Sequence, residues 1–249
     1  MTPDPVGSLR QMAAGAMGAE PRLDHDGCVA LLHLGDGENR LNCQSIAAIQ
    51  ELLDEVERGP STALVTSAVG KFWCNGMDTP WIQAHPERAV DVFLDAERLL
   101  GRLLGFPVRT VAALQGHAYA AGFLLALAHD TRLMRADRGW MCLPEITFGA
   151  VFTQGMTDLI HERLGPEVAR RAVMLAERFD GPQAVENRIV EETVDADRLL
   201  GHAIEIAQRP PIVNRQVMAA TKANLHARAL ATLAKTPACE LLVAAVLAC

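Results

Sequence analysis

The chain has 249 residues, of which 50% are hydrophobic, 21% charged and only 4% aromatic. At about 150 residues per domain, this fits one large domain, or one domain with an appendage, and an apolar half excludes global disorder. The net charge of −7 comes from the first hundred residues, where 7 basic side chains face 15 acidic ones, and it argues against a nucleic-acid binder.

Residues 1–22 carry Asp4 and Glu20 and have no long apolar run, so they read as a loose leader and not as a secretory signal. Val29 to Leu34 lies between turns as a strand, and Ser45 to Arg58 repeats Ile46, Ile49, Leu52, Leu53 and Val56 at helical period until Gly59-Pro60. A second strand, Ala63 to Thr66, leads into a loop, Ser67 to Asp78. One long helix is predicted from Pro80 to Leu104, and a strand from Val108 to Leu114. A turn over Gly116 to Ala120 then opens a helix, Ala121 to His129. The uncharged stretch Thr110 to His129 has the length of a membrane span, but its two apolar pieces fit a buried strand–turn–helix better. Strands alternating with helices predict parallel pairing in an α/β core, residues 23–194. Helices are expected over Glu167 to Glu177 and after Asp180-Gly181-Pro182, followed by a short strand at Ile189-Val190. From Asp195 to Cys249 the pattern is almost wholly helical, broken at Pro210-Pro211 and Pro237.

Six scattered cysteines without C-x-x-C spacing, and eight histidines without an H-x-x-x-H pair, predict no metal site. The thiols read as buried small residues of a reducing, cytoplasmic compartment. Phe72 to Asp78 contains Asn75-Gly76, which suits either a plain loop or one that approaches a ligand closely. Gln115 to Gly122 is a small-residue turn that either exposes N–H groups at a helix start or allows tight strand–helix packing. Glu145 stands in Leu143-Pro144-Glu145-Ile146-Thr147-Phe148-Gly149. If buried, it would have a raised pKa and serve as a base; otherwise it is a surface residue beside a proline turn. The arginines Arg132, Arg135 and Arg138, with Asp130 and Asp137, read as a solvated, mutually paired surface. His117 and His129 read as structural.

In this order, the segments resemble the crotonase (enoyl-CoA hydratase/isomerase) superfamily from about Asp26 to Asp195. Cys74-Asn75-Gly76-Met77-Asp78 resembles its A-G-x-D loop, and Gln115 to Gly122 its N-G-x-A-x-G-G-G turn. Pro144-Glu145 with Gly149 resembles its P-E-x-x-x-G segment, and Ala184 to Val190 its A-x-x-x-G-[IL]-V stretch. Ala120-Ala121 replaces two of the family's glycines, and Arg188 stands where its late glycine falls. The family's hydratases use two glutamates; here Glu145 is kept and the other position is Leu124.

The resemblance implies a spiral of ββα units with a helical C-terminal layer, residues 195–249, that makes subunit contacts in a homotrimer or dimer of trimers. It also implies an oxyanion hole from the N–H groups of Met77 and Ala121, with Asn75, Gly76, Asp78 and Leu124 against the substrate. CoA arrives as part of an acyl-CoA thioester and no separate cofactor is implied; neither nucleic acid nor membrane is an expected partner. One glutamate suits a proton shuttle converting 3-enoyl-CoA to 2-enoyl-CoA, the reaction of the single-glutamate isomerase branch. The alternatives are a hydratase with another water-activating group and a non-catalytic acyl-CoA-binding member.

Overall fold

The computed structural model describes residues 18, 20–209, 214–235 and 240–248, so Pro210-Pro211, Pro237, Cys239, Cys249 and most of the expected leader lie outside the described residues. Arg22, assigned to that leader, begins the first strand. The main sheet has the order β1-β2-β3-β5-β7-β10, comprising Arg22–Asp26, Val29–His33, Ala63–Ser67, Arg109–Leu114, Thr131–Arg135 and Glu192–Val194. β1 runs antiparallel to β2, and every other pair is parallel, with Leu31 opposite Val65 and Val65 opposite Val111. Four short strands, β4 (Phe72–Cys74), β6 (His117–Tyr119), β8 (Met141–Cys142) and β9 (Arg178–Phe179), form a second sheet. The chain alternates between the sheets: β3 then β4, β5 then β6, β7 then β8. A helical segment follows each pair, which is the expected ββα spiral.

Helix α1 (Cys43–Arg58) starts where the Asn42 side chain accepts from the Gln44 and Ser45 N–H groups, and it buries Ile46, Ile49, Leu53 and Val56. The long helix predicted over 80–104 is two helices, α2 (Thr79–Ala84) and α3 (Ala89–Leu104). Pro86 has no N–H to continue the ladder, and it holds His85 at φ −134°, outside the helical region. α4 (Ala121–Leu127) is wholly buried. α5 (Gln154–Met174) kinks at Gly165-Pro166, where Gly165 adopts φ 70°. Only its second half had been expected, and it ends before Glu177. The strand expected at Ile189-Val190 lies two residues later, at β10. Helices α6 (Gly181–Glu186), α7 (Leu199–Ala207), α8 (Arg215–Leu225), α9 (Ala227–Leu233) and α10 (Glu240–Ala248) complete the chain. Successive residues of the main-sheet strands bury both faces. Ala30 and Leu32 join the large core under the second sheet, while Val29 and Leu31 join a smaller core under α7.

The arginine cluster departs from its expected surface role. Arg135 does pair with Asp137 near the surface, but Arg132 is buried. Its guanidinium donates to the Ile189 carbonyl at 2.6 Å, the His129 carbonyl at 2.9 Å and Glu191 at 2.7 Å. Asp130 turns to the buried ammonium of Lys222, 2.7 Å away. The thiols differ as well: Cys74 and Cys142 are buried, but Cys28 is exposed. No helix among the described residues is long and apolar enough to cross a membrane.

Arg132 joins β7 to the turn before β10 through a buried guanidinium bonded to the Ile189 and His129 carbonyls and to Glu191. Arg132→Met should lower stability by about 2–4 kcal/mol, the usual cost of removing one partner from a buried charged network. Urea unfolding monitored by circular dichroism measures this.

Candidate active site

Two strand-to-helix turns meet at the ends of β4 and β6. Gly116 and Gly122 admit no side chain: an added Cβ would lie 2.2 Å from the Lys71 and Cys74 carbonyl oxygens respectively. Gly76, at φ 83°, is equally confined, since its Cβ would lie 2.9 Å from both the Ala120 Cβ and the Tyr119 carbonyl oxygen, and 3.4 Å from the Ala121 nitrogen. These contacts bring the backbone before Met77 against the backbone of Ala120-Ala121. Ala121 opens α4, so its N–H has no acceptor within that helix. Among the described residues, neither it nor the Met77 N–H donates to another backbone carbonyl.

Ala120 holds this turn at φ 52° and ψ −126°, a region that glycine visits and alanine rarely does. Its N–H donates to the Cys142 carbonyl at 2.9 Å, and its carbonyl accepts from Phe123 and Leu124. The strained peptide is therefore fixed on both sides. Arg188, at φ 56°, likewise adopts a left-handed backbone.

Both turns open onto a cavity of about 380 Å³ with an almost wholly apolar wall. Asn75, Met77, Ala121, Leu124 and Glu145 line it, as do Phe93, Phe152, Met156 and Val246, which no local motif had marked. Phe93, Met156 and Val246 come from α3, the start of α5 and α10, and Phe152 from the segment before α5, so only the tertiary fold brings them to one place. Gly76 sits behind the wall. Asp78 also lies off the cavity: one oxygen caps α2 through the Trp81 N–H, and the other accepts from Asn42 Nδ2 at 2.9 Å. It borders a neighbouring polar cleft of about 450 Å³, which shares Arg40 with the apolar cavity.

Glu145 is buried, with 6% of its surface exposed. It begins a 3-10 turn, Glu145–Phe148, that closes on Gly149 in the left-handed conformation. Burial pushes its carboxyl up to about 8, its own N–H pulling the other way, and its Oε2 has no hydrogen-bond partner among the described residues. The histidines do not enter this chemistry. His129 is held between the Leu125 carbonyl and the Thr66 hydroxyl, and burial pushes it down to about 4. His117 stacks on Tyr119, and burial and nearby cations lower its pKa. Among the described residues, no cluster of three His, Cys, Asp or Glu side chains is placed to hold a metal ion.

Residues 25–244 match the family model described as enoyl-CoA hydratase/isomerase. Peroxisomal enoyl-CoA delta isomerase 1 of Arabidopsis thaliana is 34% identical over 186 residues, which cover 70% of this chain and 77% of that protein. A probable enoyl-CoA hydratase, EchA14, of Mycobacterium tuberculosis is 29% identical, over 83% of this chain and 81% of that protein. Among solved structures, the probable enoyl-CoA hydratase EchA3 of M. tuberculosis superposes with a TM-score of 0.81 at 25% identity, covering 86% of this chain and 91% of that one. Human mitochondrial delta3-delta2-enoyl-CoA isomerase has the same fold, with a TM-score of 0.79 at 20% identity over 91% and 95% of the two chains.

Two predictions follow from the confinement of these groups. Gly76→Ala should lose on the order of 2 kcal/mol or more, because both its φ and its space are forbidden, and chemical denaturation reads this directly. The raised pKa of Glu145 means that the folded state keeps a proton that the unfolded chain releases near its ordinary value of 4.5. Stability from this group is therefore full below 4.5 and lost as pH rises through about 8. Glu145→Gln should raise the thermal midpoint above that of the wild type at pH 9, with little difference at pH 4.5.

Proposed function

Because this chain belongs to the enoyl-CoA hydratase/isomerase family, we propose that it is an isomerase moving the double bond of 3-enoyl-CoA to 2-enoyl-CoA. The observation that carries this reading is one carboxylate, Glu145, in an apolar cavity where Leu124 provides no second one. Adding water requires a group to position and activate it; relocating a proton along an acyl chain does not.

The thioester oxygen accepts from the Met77 and Ala121 N–H groups. Ionised Glu145 removes a proton from the α carbon, and the electron pair spreads into a dienolate held at that oxygen. The carboxylic acid then returns the proton to the γ carbon, leaving the double bond at C2–C3 and Glu145 ionised again. Each backbone donor contributes about 3–4 kcal/mol where charge develops on oxygen. Because the donors are backbone groups, methionine and alanine serve as well as any residue. A desolvated carboxylate is also a stronger base than one in water.

The exposed apolar side chains of Val217 and Leu225 on α8 support a C-terminal layer that makes subunit contacts in a homotrimer or dimer of trimers. A cytoplasmic setting is proposed for its free thiols.

Incubation with 3-enoyl-CoA should yield 2-enoyl-CoA, while incubation with 2-enoyl-CoA should yield no hydrated product; water addition without isomerisation overturns the reading. Glu145→Gln should lower kcat by about 10²–10⁴-fold with acyl-CoA binding little changed. The wild-type kcat/KM should rise with pH through about 8, as Glu145 ionises.

A further inference from the structure

Glu97 is a buried carboxylate that the proposed chemistry leaves unused. It lies on α3, one turn beyond the cavity-lining Phe93, with 1% of its surface exposed. Its Oε1 accepts from the Thr153 hydroxyl, and its Oε2 has no partner among the described residues. The buried cations, by contrast, are compensated: Lys222 meets Asp130, and Arg132 meets Glu191. Among the described residues, no cation meets Glu97. Burial pushes its carboxyl up to about 6, against the pull of the Thr153 hydroxyl. A solitary charge of this kind opposes folding, so stability alone does not account for it.

Thr153 is the other half of the contact. It is the N-cap of α5, its hydroxyl accepting from the Met156 N–H at 3.3 Å and its carbonyl from the Thr157 N–H at 2.9 Å. The strap that begins at Glu145 ends at Thr153. Phe148, Val151 and Phe152 of this strap line the cavity, while Ile146, Phe148 and Val151 also show surface to solvent. Inside it, the Ala150 N–H donates to the Glu145 carbonyl at 3.0 Å. The second sheet holds one end through β8, and the Thr153 hydroxyl anchors the other to Glu97.

We propose that Glu97 is a positioning residue, which fixes the strap carrying Glu145 by holding its far end through Thr153. This inference rests on Glu145 being the base. A hydroxyl bonded to a carboxylate makes a stronger and more directional anchor than one bonded to a neutral group. The anchor fixes the strap at a residue that touches neither the reacting atoms nor solvent. Small displacements of a base from its proton lower the rate steeply while leaving the apolar binding surface in place.

The test compares full-length wild type with Glu97→Leu, Glu97→Gln, Thr153→Val and Thr153→Ser, reading kcat, KM, thermal midpoint and amide hydrogen exchange over residues 145–153. Glu97→Leu and Thr153→Val should each lower kcat by about tenfold or more with KM within about twofold, and should speed exchange in the strap. Their double variant should lose no more than either alone, because both remove one contact. Glu97→Leu should unfold at or above the wild-type midpoint, which a merely structural residue would not do. Thr153→Ser, which keeps the hydroxyl, should retain most of kcat, and Glu97→Gln, which keeps an acceptor without the charge, should fall between wild type and Glu97→Leu. Wild-type kcat and exchange in Glu97→Leu overturn the proposal, as does a loss of kcat that only follows a fall in midpoint. If Glu97→Leu does not fold, Thr153→Val against Thr153→Ser decides. If the wild type does not isomerise 3-enoyl-CoA, the assigned reaction fails, and hydrogen exchange alone then decides whether Glu97 anchors the strap.

Discussion

The architecture depends on backbone packed against backbone between residues 71–77 and 116–122. Gly116 lies against the Lys71 carbonyl, Gly122 against the Cys74 carbonyl and Gly76 against Ala120, each with no room for a further carbon. Such contacts leave no intervening side chain to take up slack, so the separation of the two turns is set by van der Waals radii. The wholly buried α4 and the parallel pairing of β4 with β6 make the contact rigid. In the proposed reaction, the Met77 and Ala121 N–H groups of these two turns are the donors to the thioester oxygen. Their placement does not rely on rotamers, which explains why Met77 and Ala121 can stand where the side chain has no chemical task.

Around that contact, the molecule separates charged groups that are compensated from two carboxylates that are not, Glu97 and Glu145. Lys222 with Asp130 and Arg132 with Glu191 carry full charges into the interior, and each has a counter-ion and further hydrogen bonds. Glu145 has neither a cation nor a second carboxylate beside it. In the cavity it is desolvated, so its ionised form is unstable and reactive in proportion. The same burial that weakens the fold at high pH supplies the basicity that the proposed proton shuttle needs.

Features dictated by local chemistry were readable along the chain. The helical period of Ile46, Ile49, Leu53 and Val56, the strands expected at Val29 to Leu34 and Ala63 to Thr66, and the helix that opens at Ala121 all formed, with ends shifted by a residue or two. What escaped was short or non-local. Strands of two or three residues, such as β4, β6 and β8, are too brief to show a period of two. β7 was hidden because Arg132 looks like a surface residue until the Ile189 carbonyl and Glu191 are folded against it. The single helix drawn through Pro86 neglected the one residue able to break it. At the cavity, Glu145, Met77 and Ala121 stand in motifs, whereas Phe93, Met156 and Val246 line it only through the packing of α3, α5 and α10.

Ala120 and Arg188 show which part of a motif the physics requires. Both occupy positions where the related family has glycine, and both retain positive φ, at 52° and 56°. The fold thus demands the backbone conformation, and glycine is its cheapest occupant but not the only one. Strain of about 1–3 kcal/mol at such a residue persists only if the surroundings over-determine it. At Ala120 the surroundings do so: the Cys142 carbonyl holds its N–H, two helical N–H groups hold its carbonyl, and Gly76 leaves just enough space for its methyl group. That last complementarity makes Gly76 less replaceable than the glycine Ala120 stands for, because the methyl already fills the gap between the two turns.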